Sequence, residues 1–287
     1  MNYKDIISKV KSVRDYKKEE ISPQKINELK EYFNIGKRLI GDIEIEVLFK
    51  NKNEVYEQLK DAAGYNEFMI EAPHYMVFLS EEKDHYIENT GYAAQDLMLK
   101  AWSFGIGSCW VTFKDGEEIK NKLNIKSDKK LTALISLGVD ANKSKVINEQ
   151  VDKYNPTKAD IKVVENNVAE RLDIREVVFM NKWGNNADLD ELVNLGLIDG
   201  FVSARRAPST RNRQPWRFIV DNEKIVLTLR QDAYANEYEE KIDTGIIMLY
   251  FKAVIDSTLF DIACNLESPE KNYEIPSDYK IVGYCIS

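Results

Sequence analysis

Residues 207–216 set two prolines, Pro208 and Pro215, around Ser209, Thr210, Asn212 and Gln214, with arginines at 205, 206, 211 and 213. So many hydrogen-bonding side chains ahead of the apolar run 216–220 fit two readings. One is a capped loop closing a helix. The other is a loop that grips a polar ligand, with its partner groups supplied from far away in the sequence. No Ser/His/Asp grouping or carboxylate pair stands out for nucleophilic or acid–base work, so no catalytic side chain is assigned. Two histidines, His74 and His85, and three scattered cysteines, Cys109, Cys264 and Cys285, offer neither a metal centre nor a disulfide framework. Cys109, beside Trp110, reads as a small core residue.

The elements that must position such a loop follow from periodicity. Ser22-Pro23 opens a helix with a Ser cap and Pro at its first position, running to about residue 35. Other helices are expected at 4–11, 54–63, 116–123 and 189–205. Strands are expected at 43–49, where IEIEVLF alternates, and at 75–79, 109–113, 131–139 and 280–286. Residues 216–220 and 224–230 read as a hairpin turning at Asp221-Asn222. Two long apolar helices, 87–105 and 239–256, are core helices; Asp96 and Lys100 form an i,i+4 pair on the first. Neither is an uninterrupted apolar stretch of spanning length, so no membrane association is expected. Residues 140–168 are polar and serve as a linker. The class is α+β.

Bulk properties agree with a globular enzyme-sized chain. The 287 residues are 44% hydrophobic and 31% charged, and a net charge of −8 argues against nucleic-acid binding, which needs a basic face. The opening MNYKDIISKVKSVRDY has no apolar signal-peptide core, so a cytoplasmic protein with reduced cysteines is expected. The two halves also echo each other. Asn89-Thr90-Gly91 and Asp243-Thr244-Gly245 open the two apolar helices, 72–77 matches 214–219, and Arg14 matches Arg175. A first half at 1–150 and a diverged second half at 165–287 are expected, packed about the central helices.

Three segments together resemble the nitroreductase family of FMN-dependent oxidoreductases. Lys11-Ser12-Val13-Arg14-Asp15-Tyr16 is similar to the family's Arg-Arg-Ser-x-Arg-x-Phe opening. Gly105-Ile106-Gly107-Ser108-Cys109-Trp110-Val111 is similar to Gly-Leu-Gly-Thr-Cys-Trp-Ile. Residues 207–216 resemble Ala-Pro-Ser-x-x-Asn-x-Gln-Pro-Trp. In ordinary members the Pro-Ser loop soon follows the opening arginines, and a dimer builds each flavin site from two chains. Here opening and loop lie in different halves, which resembles a subgroup that fuses both subunits into one chain. The resemblance implies a monomeric pseudo-dimer with one surviving site, because residues 34–49 hold no Pro-Ser or Gln-Pro-Trp.

The resemblance implies FMN as cofactor. Lys11, Ser12 and Arg14 would meet its phosphate, which carries about two negative charges, with Arg171 a third cation. The same groups would also suit a basic helix end and, for Arg171, a solvated linker. Glu170 stands where the family often pairs a Lys with that Arg. Pro208, Ser209, Thr210, Asn212 and Gln214 would line the ring and ribityl chain, and the backbone near Val111 and Thr112 would face N5. Thr112 replaces a common glycine. Tyr65 and Asn66 would lie over the flavin, or simply end a helix after Gly64. Trp216 is assigned to the core. The implied activity takes a hydride from NADH or NADPH and reduces an electron-poor small molecule such as a nitroaromatic or quinone. The protein would supply position and electrostatics, and no metal. Storage of flavin without turnover, or a fold kept for structure alone, are the alternatives.

Overall fold

The computed structural model describes residues 1–64, 68–142, 146–148, 161–163, 170–222, 224–258 and 261–286. Within these, the first half runs α1 (Tyr3–Lys9), α2 (Pro23–Ile35), β1 (Ile45–Asn51), α3 (Lys52–Leu59), β2 (His74–Ser80), α4 (Tyr86–Ser103), β3 (Gly107–Val111), α5 (Gly116–Lys122) and β4 (Lys130–Gly138). A short antiparallel pair, β5 (Val146–Asn148) and β6 (Ile161–Val163), lies in the expected linker. The second half continues with α6 (Ile174–Val177), β7 (Val178–Met180), α7 (Leu189–Asn194), α8 (Ile198–Ala204), β8 (Trp216–Asp221), β9 (Lys224–Arg230), α9 (Glu237–Thr258), β10 (Ala263–Asn265) and β11 (Tyr279–Ile286). The α+β class stands.

Local chemistry explains most boundaries. Ser22 accepts from the Lys25 N–H with Pro23 at the first helical position, as its sequence signature predicts. β1 runs two residues later than expected, because it pairs with β2 as far as Asn51↔His74. Asn51 and Glu54 then form a capping box that starts α3. The helix expected at 189–205 is two helices. Gly196 takes a left-handed φ of 71°, and the Leu197 N–H folds back to the Leu192 carbonyl, a C-terminal stop that glycine makes inexpensive.

Each half carries a sheet with one strand order. The first is β1-β2-β4-β3; the second reads β8-β9-β11-β10 with β7 added in parallel at the β8 edge. The pairings β1–β2, β2–β4 and β4–β3 are antiparallel, and so are β8–β9, β9–β11 and β11–β10. In both halves the long helix follows the second strand of that order. Topology therefore sets β8 against β1, and the echo between 72–77 and 214–219 compares non-equivalent strands. The echo between 89–91 and 243–245 does align the helices.

α4 and α9 meet there at backbone distance. A Cβ on Gly91 would lie 2.6 Å from the Ile242 carbonyl oxygen, and one on Gly245 would lie 1.9 Å from that of Glu88. No side chain fits either gap, so glycine is what lets these helices touch. The contact is reciprocal, as in a two-fold interface. The largest core cluster spans it, joining Tyr92 and Leu99 of α4 to Trp216 and to Phe251 of α9. Trp216 is fully buried, as expected.

Two expectations fail. Asp96 does not pair with Lys100: it accepts from the hydroxyls of Tyr3 (2.7 Å) and Tyr32 (2.9 Å), while the Lys100 ammonium lies over the Tyr32 and Phe104 rings. Nor are all cysteines reduced. Cys264 and Cys285 lie directly opposite on β10 and β11 and form a disulfide, a pairing their 21-residue separation does not reveal. Cys109 remains free and buried.

Candidate functional site

The segment after α1 is stitched to the edge of β3. The Val13 N–H donates to the Ser108 carbonyl at 3.0 Å, and Ser12 bridges Ser108 in parallel. Gly107 makes room, since a Cβ there would strike the Val13 side chain at 2.5 Å. The segment exposes Lys11, Ser12 and Arg14 along one strand. Lys11 is bound to Asp140 at 2.8 Å, whereas Arg14 forms no ion pair among the described residues. Burial pushes the Cys109 thiol up and keeps it inert.

Beyond β3, the Thr112 carbonyl accepts from the Gly64 N–H at 2.7 Å, with Gly64 at φ 108°. Tyr65 and Asn66 lie outside the described residues. Val111 is buried and Thr112 exposed. Phe113 meets Tyr238 of α9, ring centroids 5.6 Å apart, and the Tyr238 hydroxyl donates to the Thr132 carbonyl.

The loop 207–214 hangs from the same end of α9. The Thr210 N–H donates to both oxygens of Asp243, at 3.1 and 3.3 Å. Asp243 and Tyr238 are five residues apart, about 7.5 Å along a helix. The first turns of α9 thus touch both the segment just beyond β3, at Phe113, and the Pro-Ser loop. Within the loop, Ser209 Oγ accepts from the Gln214 N–H at 3.0 Å. Pro208, Ser209 and Thr210 are partly buried, and Asn212 is exposed.

Gln214 takes a different part from the one expected. Its amide is bonded at both ends, accepting from the Leu172 N–H and donating to the Glu170 carbonyl, both at 3.0 Å. The side chain is buried and anchors the loop to the start of the second half. Arg171 lies at the same anchor, donating to the Ala207 carbonyl (2.9 Å) and Asn212 Oδ1 (3.0 Å). It is no solvated linker residue. Burial, then the nearby Arg206 and Arg205, lower its pKa. None of these three arginines forms an ion pair with a described carboxylate.

Sequence reasoning missed several groups that organise this region. Trp110 donates to Gln95 at 2.9 Å, and Gln95 reaches the Tyr250 hydroxyl at 3.3 Å, so a buried polar run crosses from β3 through α4 to α9. Only the fold brings these residues together. Asp243 was visible only as part of the repeated helix opening. It is fully buried, and that burial pushes its pKa up to about 8 despite the Thr210 N–H and Arg213. An ion pair would be expected to hold it low, but Arg213 gives its short contact to Asp232 (2.7 Å) and stands 3.7 Å from Asp243. Desolvation wins at that distance. Arg213 Nε and Nη2 are buried without a hydrogen-bond partner.

Comparison with known proteins returns one family. The family model "Putative TM nitroreductase" matches residues 2–255. Among solved structures, a "putative nitroreductase" from Thermotoga maritima has the same fold over 100% of this chain and 93% of its own, at 15% identity and TM-score 0.59. An FMN-dependent nitroreductase from Clostridium difficile R20291 matches 57% of this chain and 98% of its own at 22% identity and TM-score 0.42. A nitroreductase family protein from Clostridium novyi NT matches 49% and 87% at 20% and 0.41. No curated protein matches the chain. Among the described residues no helix is long and apolar enough to cross a membrane, and no metal-binding group of three side chains occurs.

Proposed function

The chain belongs to the nitroreductase family, and on that premise we propose that it is an FMN-dependent oxidoreductase. Its donor would be NADH or NADPH, and its acceptor an electron-poor small molecule. One observation carries the reading: the start of α9 holds the Pro-Ser loop through Asp243 and packs on Phe113, just beyond β3, through Tyr238, while residues 11–14 are stitched to β3 at Ser108. Groups expected at one flavin are thereby tied to the same two elements, β3 and α9, which supports the reading.

The residues present fit an anionic, multiply hydrogen-bonded cofactor. Arg14 and the Arg171, Arg205 and Arg206 group carry charge that no described carboxylate pairs, in a chain with net charge −8. Buried Arg213 N–H groups also lack a partner, an uncommon and costly state. In this proposal Lys11, Ser12 and Arg14 hold the phosphate. Pro208, Ser209, Thr210 and Asn212 contact the ribityl and ring, and the backbone at Val111 and Thr112 faces the reactive edge. Gln214 and Arg171 fix the loop's shape, and Tyr65 and Asn66 complete the assignment. Bound FMN would supply two-electron chemistry between nicotinamide and acceptor.

The equal strand order in the two sheets supports descent from a fused dimer, with halves at 1–150 and 165–287 and a monomer in solution. Flavin storage is the second reading, motivated by Glu170 and Thr112, which stand where the family often has Lys and Gly, and by the absence of a second Pro-Ser loop. A visible spectrum of the purified protein, before and after anaerobic NADH or NADPH, tests the choice. A flavin spectrum that bleaches is expected. One that persists supports storage, and a colourless protein that ignores added FMN overturns both.

A further inference from the structure

A cleft of about 380 Å³ opens where the halves meet, beside Phe113. Phe113, Lys114 and Thr132 line it from the first half, Glu237 and Tyr238 from the second. Resting on the flavin reading above, we propose that this cleft takes a single-ring aromatic electron acceptor bearing an anionic group, and that Lys114 pairs with that group.

The walls argue for a ring. Phe113 and Tyr238 are tilted 56° to each other, and the Tyr238 hydroxyl is tied to the Thr132 carbonyl, which holds its ring in place. Such a pair presents faces and edges to a third ring in the arrangements aromatic groups favour. The volume is near the lower end of the roughly 300–1,000 Å³ typical of ligand sites, enough for one substituted ring rather than a dinucleotide. The position fits as well, because Phe113 directly follows Val111 and Thr112.

The charges argue for an anion. Lys114 is exposed at the cleft and forms no ion pair among the described residues. Its neighbour Asp115 is engaged as the cap of α5, accepting from the Glu117 N–H at 2.8 Å. Across the cleft, Glu237 is neutralised by Lys241 at 2.8 Å. Among these four groups Lys114 alone is left without an ion-pair or cap partner, and a carboxylate on the acceptor would complete it. An exposed pair of this kind is worth up to about fivefold in affinity.

The test compares 4-nitrobenzoate with neutral nitrobenzene on the full chain carrying K114A, K114R or K114E. Binding is read by titration calorimetry, and turnover with NADH or NADPH is measured alongside. The 4-nitrobenzoate Kd should rise about fivefold in K114A, rise further in K114E, and return in K114R. The nitrobenzene Kd should not follow the charge, and the difference should shrink at high salt. Equal shifts for both probes, or none for either, would overturn the proposal. Lys114-dependent binding of 4-nitrobenzoate without flavin bleaching would instead sink the oxidoreductase reading and leave an acid-binding cleft. Bleaching with no dependence on Lys114 would do the reverse.

Discussion

Each half fastens the loop ahead of the first strand of the shared order, β1 or β8, to a side chain near the start of its long helix, but with different chemistry. In the first half, Asn89 accepts from the Ile40 N–H (2.9 Å) and donates to the Ile40 carbonyl (3.0 Å). In the second, Asp243 accepts from Thr210 and has no proton to return while ionised. The first loop is self-contained. Arg38 donates to the Phe33 and Gly36 carbonyls and stacks over the Phe33 ring at 4.0 Å. The second loop retains buried, unpartnered Arg213 N–H groups beside a carboxyl held near pKa 8. One loop is settled as structure, while the other tolerates polar strain of the kind that persists where a ligand completes the network.

Exchanging the two clamps should have the largest effect. Asp243 keeps a proton in the fold up to about pH 8, whereas the unfolded chain releases it near 3.8. Folding therefore takes up a proton between those values, and stability falls as pH rises through the window. D243N, which copies the first half, should raise Tm at pH 8, with a ceiling of about 5 kcal/mol. The gain should vanish below pH 4. N89D should do the opposite, losing the donor to Ile40 and gaining a buried carboxyl, at about 3 kcal/mol near neutral pH. Thermal unfolding of both variants from pH 4 to 9 checks the pair; parallel curves would show that the clamps are equivalent.

That difference between loops was only partly legible in the chain. Pro208, Ser209 and Asn212 stand out through the resemblance of 207–216 to the family's loop, since their types alone are ordinary in a connection, and the Ser22 cap and the two apolar helices follow from local rules. Gln214 was legible as polar but not as an anchor, since its partners at 170 and 172 are some 40 residues away. The Trp110–Gln95–Tyr250 run and the Cys264–Cys285 pair likewise depend on which strands and helices become neighbours. Residues 174–180 carry no legible element in the sequence because a four-residue helix and a three-residue strand are too short to show a period. The split at Gly196 was within reach, as glycine inside a helical pattern is a stop signal.

Q214A sharpens the comparison next. It strips the Leu172 N–H and Glu170 carbonyl of their partner and should cost about 2 kcal/mol of stability. On the proposed function it should also weaken FMN retention by tenfold or more, because the loop it anchors would lose its shape. Flavin released on dilution, measured by fluorescence, reads this directly. A variant that unfolds more easily yet holds flavin as tightly as the wild type would separate the loop from the cofactor.

The smallest effect is expected at Arg38, and its value lies in what should not change. Its bonds to the two carbonyls are only partly buried, so water can replace it, and R38A should lose about 1 kcal/mol. If the first-half loop is purely structural, R38A should leave flavin affinity and the ratio of one flavin per chain untouched. The ratio is measured from absorbance after reconstitution with excess FMN. A second flavin bound by R38A would mean that this guanidinium had been filling a site the first half still possesses. The contrast between a settled loop and a strained one would then be a matter of one side chain rather than of two diverged halves.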